Sequence, residues 1–344
     1  RCYHRRTMSI TVAPFDQHQH LDTAAALLAD RHRRDRERDA RLPAAFVMPD
    51  ACRPVIEQTF TSIGWRGVIA HDGGEPVGFM IMVPQLFPPT HFLASFFPPR
   101  SAAANYQQHA TKDGMAYDVY REMYAVLAEH FVSGGYFDHL VSVAPSDAGG
   151  AEAWASLGFA RNAVAAMRDV GPTDKPQAKV ELHQASAEDA DVIFRLNEEL
   201  TLHHAKSPIF WPYLHETDES SHEMQRGLLG DPQANAHWVA YEGGKPVGMN
   251  TFMPPAFLSP LQVPPKTVYL YQGIVTSDAR TGGVGTAILS RGAEWAREQG
   301  YEHMALHFAA PNLQGARFWL SSGFVPVEYG LRRRVDERIA WANK

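Results

Sequence analysis

The sequence predicts an α/β protein built as two tandem copies of one domain, and three observations carry that reading. First, GVIAHDGGEPVGFMIMVPQ at 67–85 and HWVAYEGGKPVGMNTFMPP at 237–255 are near-duplicates, with Gly73, Gly74, Pro76, Val77 and Gly78 recurring as Gly243, Gly244, Pro246, Val247 and Gly248 at a constant offset of 170. Second, the same offset lays SITVAPFDQHQHLDTAAALL over KVELHQASAEDADVIFRLNE. Third, AEAWASLGF and ARFWLSSGF match at an offset of 165, so that Trp154, Gly158 and Phe159 answer Trp319, Gly323 and Phe324. Self-similarity at a fixed offset marks a duplicated unit, and 344 residues exceed one typical domain but suit two.

Each copy opens on a β-rich run followed by a helix. The duplicated hairpin comes next: a β-rich run, an acidic-Gly-Gly turn and a second β-rich run. In the first copy the segment from Gln85 to Arg100, QLFPPTHFLASFFPPR, is rich in Pro and Phe and reads as a packing edge ahead of a ligand-facing aromatic wall. The helix YDVYREMYAVLAEHFVSGGY then overlies GTAILSRGAEWAREQGY of the second copy. Between the copies, DVGPTDKPQAKV at 169–180 has linker composition. The expected domains are therefore 9–170 and 179–344.

Hydrophobic residues at 45% and charged residues at 20% describe an ordinary globular chain with ample core. A net charge of −6 argues against a nucleic-acid partner, which needs a concentrated basic face. The one dense basic run, RHRRDRERDAR at 31–41, is interrupted by acids and reads as a solvated helix face. With only Cys2 and Cys52 there is no disulfide framework, and a reducing compartment is expected. No apolar run reaches the ~20 residues that span a bilayer, and RCYHRRT ahead of Met8 lacks the apolar core of a signal peptide. A cytoplasmic protein is expected, monomeric or homodimeric, with no membrane or nucleic-acid partner. His203, His204 and His215 lack the spacing of a zinc site, so no metal is expected.

The most chemically informative stretch is IVTSDARTGGVGTAILSRGAEWAREQG, in which a β-like run passes through a glycine-rich turn into an amphipathic helix. Arg280, Gly283 and Gly285 form R-x-x-G-x-G. Such a turn at a helix start aims unpaired N–H groups at one spot, backed by the positive end of the helix dipole, which is how a diphosphate is held. Glycine is needed because a side chain would keep the anion from the backbone. The pattern is neither the G-x-G-x-x-G dinucleotide fingerprint nor a P-loop.

This stretch resembles motif A of the GCN5-related N-acetyltransferases (GNAT). The continuation YEHMALHFAAPN reads as a fifth strand, and NLQGARFWLSSGF is similar to the family's motif B, with Asn312, Gly315, Gly323 and Phe324 in place and Trp319 where the family has a Tyr. The resemblance implies two GNAT-like domains, each a mixed, mostly antiparallel sheet flanked by helices. It implies acetyl-CoA as co-substrate, its pantetheine in a gap between the fourth and fifth strands against the backbone of Ile274, Val275 and Thr276. The diphosphate would lie on Arg280, Thr281, Gly282, Gly283, Val284 and Gly285, with Thr286 adding a hydroxyl and Asn312 reaching in from the far strand. In the first copy Asp118 and Tyr120 stand where Gly283 and Gly285 would be. That copy is expected to have lost CoA binding.

Many family members use a Glu on the fourth strand as base and the motif B Tyr as acid. Here TVYLYQGIV has no carboxylate, and an indole N–H cannot supply a proton at neutral pH. Tyr269 or Tyr271, which share a strand face by period two, and His303 or His307 are the substitutes. Tyr271 and His307 are taken as the catalytic pair. His307 is chosen because an ordinary imidazole titrates near pH ~6.5. In the loop LTLHHAKSPIFWPYLHETDESSHEMQRG, Phe210, Trp211 and Tyr213 with Glu216, Asp218, Glu219 and Glu223 suggest an aromatic wall with an acidic rim for a cationic amine. The expected activity is acetyl transfer by direct attack of a small-molecule primary amine, with the C-terminal copy catalytic. The alternatives are a non-catalytic CoA-binding module and a protein N-acetyltransferase.

Overall fold

Both duplicated hairpins form as the glycine pairs require. In the computed structural model, which describes residues 9–171 and 178–342, Gly73 and Gly74 have φ of +59° and +90°, and Gly243 and Gly244 of +55° and +78°. Positive φ at both turn positions matches the twist of the flanking strands and is open to glycine at little cost. Part of the linker, 172–177, and the N-terminal residues 1–8 lie outside the described residues.

The first copy runs β1 (Ile10–Pro14), α1 (Gln17–Arg38), α2 (Pro49–Glu57), β2 (Arg66–Asp72), β3 (Glu75–Leu86), β4 (Arg100–Ala104), β5 (His109–Thr111), α3 (Ala116–Ser133), β6 (Asp138–Val143), α4 (Ala148–Ser156) and β7 (Ala160–Asp169). The second runs β8 (Glu181–Gln184), α5 (Ala190–His204), α6 (Asp218–Leu229), β9 (Ala236–Glu242), β10 (Lys245–Met253), β11 (Thr267–Val275), α7 (Val284–Glu298), β12 (His303–Ala309), α8 (Leu313–Ser321) and β13 (Val325–Arg334), followed by the short α9 (Ile339–Ala342). The Trp-Gly-Phe repeats close α4 and α8 identically. Gly158 and Gly323 are left-handed at φ +82° and +86°, and the N–H groups of Phe159 and Phe324 return to the carbonyls of Trp154 and Trp319, the glycine-dependent helix stop.

One mixed sheet runs through the whole chain in the order β1-β2-β3-β4-β6-β13-β7-β12-β11-β10-β9-β8, with β5 pairing β3. Its pairings are antiparallel except β4 with β6 and β11 with β12. The two copies exchange their last strands. β7, the end of the first copy, lies between β13 and β12, while β13 lies between β6 and β7. The sequence division at 170 and 179 thus falls between segments whose last strands sit in each other's half of the sheet.

Helices cover both faces. α3 and α7 bury their apolar stripes on one face, and α1 with α2 and α5 cover the two ends of the other. The run at 31–41 is not the solvated face that its charges suggested. Arg31, His32 and Asp35 are buried at 5%, 0% and 5% exposure, because they continue the stripe of Leu21, Ala24 and Leu28 at helical spacing. Most of their polar atoms are satisfied inside, Arg31 Nε and His32 Nδ1 being without a hydrogen-bond partner among the described residues. Arg31 Nη2 donates to the Tyr106 carbonyl at 2.7 Å, His32 Nε2 lies 2.8 Å from the Pro43 carbonyl, and Asp35 accepts from the Tyr106 hydroxyl at 2.7 Å and the Ser146 hydroxyl at 2.9 Å.

Candidate active site

Strands β11 and β12 run parallel from Thr267 opposite His303 to Leu270 opposite Leu306, and then separate. Beyond that point β12 stays with β7, His307 opposite Ala165, while β11 stays with β10, Gly273 opposite Asn250 and Ile274 opposite Met249. Among the described residues, the upper edge of β11 therefore has no strand beside it on the β12 side. The Thr276 N–H donates to the Val247 carbonyl. By antiparallel alternation Ile274 also turns its backbone groups to β10, so Gly273 and Val275 are the residues with groups on the free edge, while the register shift at Thr251/Phe252 breaks the alternation at Tyr271. Of the three backbone positions named from sequence, only Val275 faces the gap, and its carbonyl accepts from Arg280 Nε at 3.1 Å.

The turn after β11 opens α7. Thr281 and Gly283 both take positive φ, +71° and +80°, and Gly283 is the helix N-cap. Such a turn converges backbone N–H groups ahead of the positive helix end, and a non-glycine residue held left-handed marks a site where the surroundings override local preference. Arg280 is fixed by the Val275 carbonyl and by Gln314 Oε1, 2.9 Å from Nη1. Asn312 caps α8 by accepting from the Gly315 N–H at 2.9 Å. Asn250, opposite Gly273, is buried at 4% exposure, and its side-chain nitrogen has no partner among the described residues. The Thr276 hydroxyl is likewise buried without a partner among the described residues.

A cavity of about 1620 Å³ joins these parts, its lining drawn from Arg280, Thr281, Gly283–Thr286 and Asn312 through Tyr271, Gly273–Val275 and His307 to the first copy. The sequence-named residues are thus brought together, with Gly282 and Thr276 beside rather than in the lining. Trp319 also lines it, its ring so close to Gly273 that a Cβ there would stand 3.0 Å from it.

His307 lies 2.8 Å, by Nδ1, from the hydroxyl of Tyr269. Burial pulls its pKa down to about 4. The expectation of a ring titrating near neutrality is corrected: the imidazole is neutral at pH 7 and a weak base. Burial raises both tyrosine hydroxyls, and Tyr271 stacks on Phe257 with ring centres 6.2 Å apart. His303 pairs with Asp169 at 2.9 Å, outside the cavity lining.

Sequence reasoning missed the carboxylate. Glu328, on the exchanged strand β13, lines the cavity at 8% exposure and accepts from the Ser142 hydroxyl at 2.9 Å. Burial pushes its pKa up to about 7, against hydrogen bonds from Ser142 and Gln262 and the charge of Arg31. It stands opposite Ala165, which stands opposite His307, so the three share one row across the sheet. Only the strand exchange places it there, and no local signal announces that exchange.

The loop from the second copy is also revised. Trp211 lines the cavity, edge-on to Phe96 with ring centres 5.9 Å apart, but Phe210 is 69% exposed, and the Tyr213 hydroxyl turns to Glu198 and Asp218 in a separate, smaller cavity. The Pro- and Phe-rich segment is more than a packing edge. Phe87, Phe92, Phe96 and Phe97 line the large cavity.

In the first copy the strand matching β11 is broken: β4 stops at Ala104, a 3-10 turn spans Tyr106–Gln108, and β5 resumes on β3. The Arg31 guanidinium donates to the carbonyls of Tyr106 and His109 on this segment. Tyr120 is fully buried in α3, its hydroxyl 3.0 Å from His109 Nδ1.

These parts define a protein of tandem GNAT fold, in which a single sheet carries two copies of the domain. Residues 199–324 match the model of the acetyltransferase (GNAT) family, so the chain carries a domain of that family in its C-terminal half. Among solved structures, a GCN5-related N-acetyltransferase from Sphaerobacter thermophilus is similar over 94% of this chain and 95% of its own, with a TM-score of 0.60 at 14% identity. The glucosamine N-acetyltransferase region of a fungal multi-domain GH3 β-N-acetylglucosaminidase is similar over 95% of this chain and 38% of its own, with a TM-score of 0.55 at 13% identity. No curated protein matches the sequence. Among the described residues, no helix is long and apolar enough to cross a membrane, and no group of three or more His, Cys, Asp or Glu side chains is placed to hold a metal.

Proposed function

We propose that this protein transfers an acetyl group from acetyl-CoA to the primary amine of a small molecule, with the cofactor held by the C-terminal copy alone. The observation that carries the reading is the separation of β11 from β12 after Leu270 and Leu306, directly before the Arg280–Gly285 turn at the start of α7. A linear chain with a diphosphate at one end fits that combination. The turn takes the diphosphate, Gly273 and Val275 offer edge groups to the pantetheine, and the Asn250 amide nitrogen and Thr276 hydroxyl, unpartnered among the described residues, are buried polar groups that gain from a ligand partner. A bound thioester supplies the activated acyl group. The residues of the chain orient the acceptor, exclude water and receive its proton.

The free-edge N–H groups of Gly273 and Val275 are suited to stabilise negative charge on a carbonyl oxygen, a contribution that needs no side chain. His307, held by Tyr269, presents a neutral ring beside the gap. Trp319 favours a second reading, a CoA-binding module without turnover, because it replaces the proton donor that the family resemblance calls for. Turnover separates the two. Release of free thiol from acetyl-CoA on adding primary amines supports the enzyme, and cofactor binding with no thiol release from any amine supports the module.

A further inference from the structure

We propose that the chamber over the exchanged strands is the acceptor site, and that it selects a primary amine on an extended apolar body. The nitrogen lies over Ala165 between Glu328 and His307, and the body lies on the aromatic wall of the first copy. This rests on the acetyl-transfer reading and goes beyond it by naming the acceptor class and its proton acceptor.

The floor of the chamber is dictated by register. Glu328, Ala165 and His307 form one row, and Gly330, Ala163 and Ser142 stand on the same face two residues along. Adjacent strands lie about 4.8 Å apart, so Glu328 and His307 are separated by roughly 10 Å at Cα, with only a methyl group between them. Small residues in the middle and long polar ones at the ends leave a slot for one small group.

Glu328 has no cation within ion-pair distance among the described residues. Arg31, whose charge acts on it, is committed to Asp35 and to the carbonyls of Tyr106 and His109. A buried carboxyl held only by the neutral Ser142 and Gln262 side chains is costly as an anion, and a ligand ammonium relieves that cost. Away from the row, Phe87, Phe92, Phe96 and Trp211 enclose the space. A polyhydroxylated amine would strand its hydroxyls against these rings, whereas an alkyl or aryl chain buries its surface there.

The chemistry balances without a further reactant. The ammonium gives one proton to the Glu328 carboxylate, and the freed nitrogen lone pair forms the C–N bond to the acyl carbon. The C–S bond breaks with its electron pair going to sulfur, a second nitrogen proton ends on that sulfur, and the products are an amide, a thiol and one proton released from Glu328.

The test uses the full chain with CoA bound and titrates unbranched primary amines from propylamine to octylamine, with 4-phenylbutylamine and glucosamine as comparisons. Affinity is expected to rise about three- to fourfold per added CH₂, with glucosamine the weakest. A flat series, or glucosamine binding best, overturns the proposal. Glu328→Gln is expected to weaken octylamine binding and lower kcat/KM by roughly 10²-fold while leaving acetyl-CoA affinity unchanged. Unchanged octylamine affinity and kcat/KM in this variant overturn the role of Glu328. Failure of wild-type protein to bind acetyl-CoA would instead strike the functional reading beneath.

Discussion

The hydroxyl of Tyr269 and Nδ1 of His307 lie 2.8 Å apart, joining β11 to β12 at the last point before the strands separate. The contact fixes the histidine ring at the mouth of the gap. His307→Ala is expected to lower kcat by roughly 10²-fold, and Tyr269→Phe by about tenfold, with acetyl-CoA affinity unchanged in both. Tyr271→Phe, which keeps the ring stacked on Phe257, is expected to lower kcat by less than either. Steady-state kinetics beside calorimetric cofactor binding checks all three. An equal loss of cofactor affinity in His307→Ala would assign the residue to binding.

Glu328 should make stability fall as pH rises. Burial raises its folded pKa from 4.5 to about 7. The folded state thus holds a proton that the unfolded state releases, and the stability from this group is full below pH 4.5 and lost as pH climbs through about 7. The loss attributable to Glu328 is on the order of 3 kcal/mol. Glu328→Gln removes it, so the variant gains stability over wild type at pH 8 and not at pH 4. Urea unfolding at the two pH values measures the difference, and a variant equally destabilised at both would contradict the sign.

Arg31 is predicted to be structural. Its guanidinium holds the broken strand of the first copy by two carbonyls and sits 3.6 Å from Asp35. Arg31→Met leaves the Asp35 charge buried without its partner and should cost roughly 3–5 kcal/mol. Denaturant midpoints report this. A loss within about 0.5 kcal/mol, the range of ordinary surface changes, would mean that the network carries little.

The duplication and the R-x-x-G-x-G turn were legible in the sequence because each is local: a paired glycine needs positive φ wherever the chain folds, and Arg280 to Gly285 lie within one turn. The buried face of α1 was also in principle readable, since Leu21, Ala24, Leu28, Arg31 and Asp35 keep helical spacing. Charge density hid it, as a run of arginines says nothing of the carbonyls they will meet. Glu328 was not legible. Its place beside Ala165 follows from β13 entering the other copy's half of the sheet, a pairing set by packing between distant segments and by no feature of VPVEYGLRRR itself. The same holds for the phenylalanines at 87–97, whose role depends on the second copy lying beneath them.

One cofactor is expected to bind, in the C-terminal copy, on the turn that opens α7. Titration calorimetry of acetyl-CoA into wild-type protein and into Gly282→Asp tests it most directly. Gly282 has nothing nearer to a new Cβ than the Ala279 carbonyl at 3.7 Å, so the substitution adds a negative charge to the turn without crowding it. One site per chain, abolished by Gly282→Asp in a variant that unfolds at the wild-type temperature, is the predicted result. Two sites per chain, or unchanged affinity in that folded variant, would contradict the account.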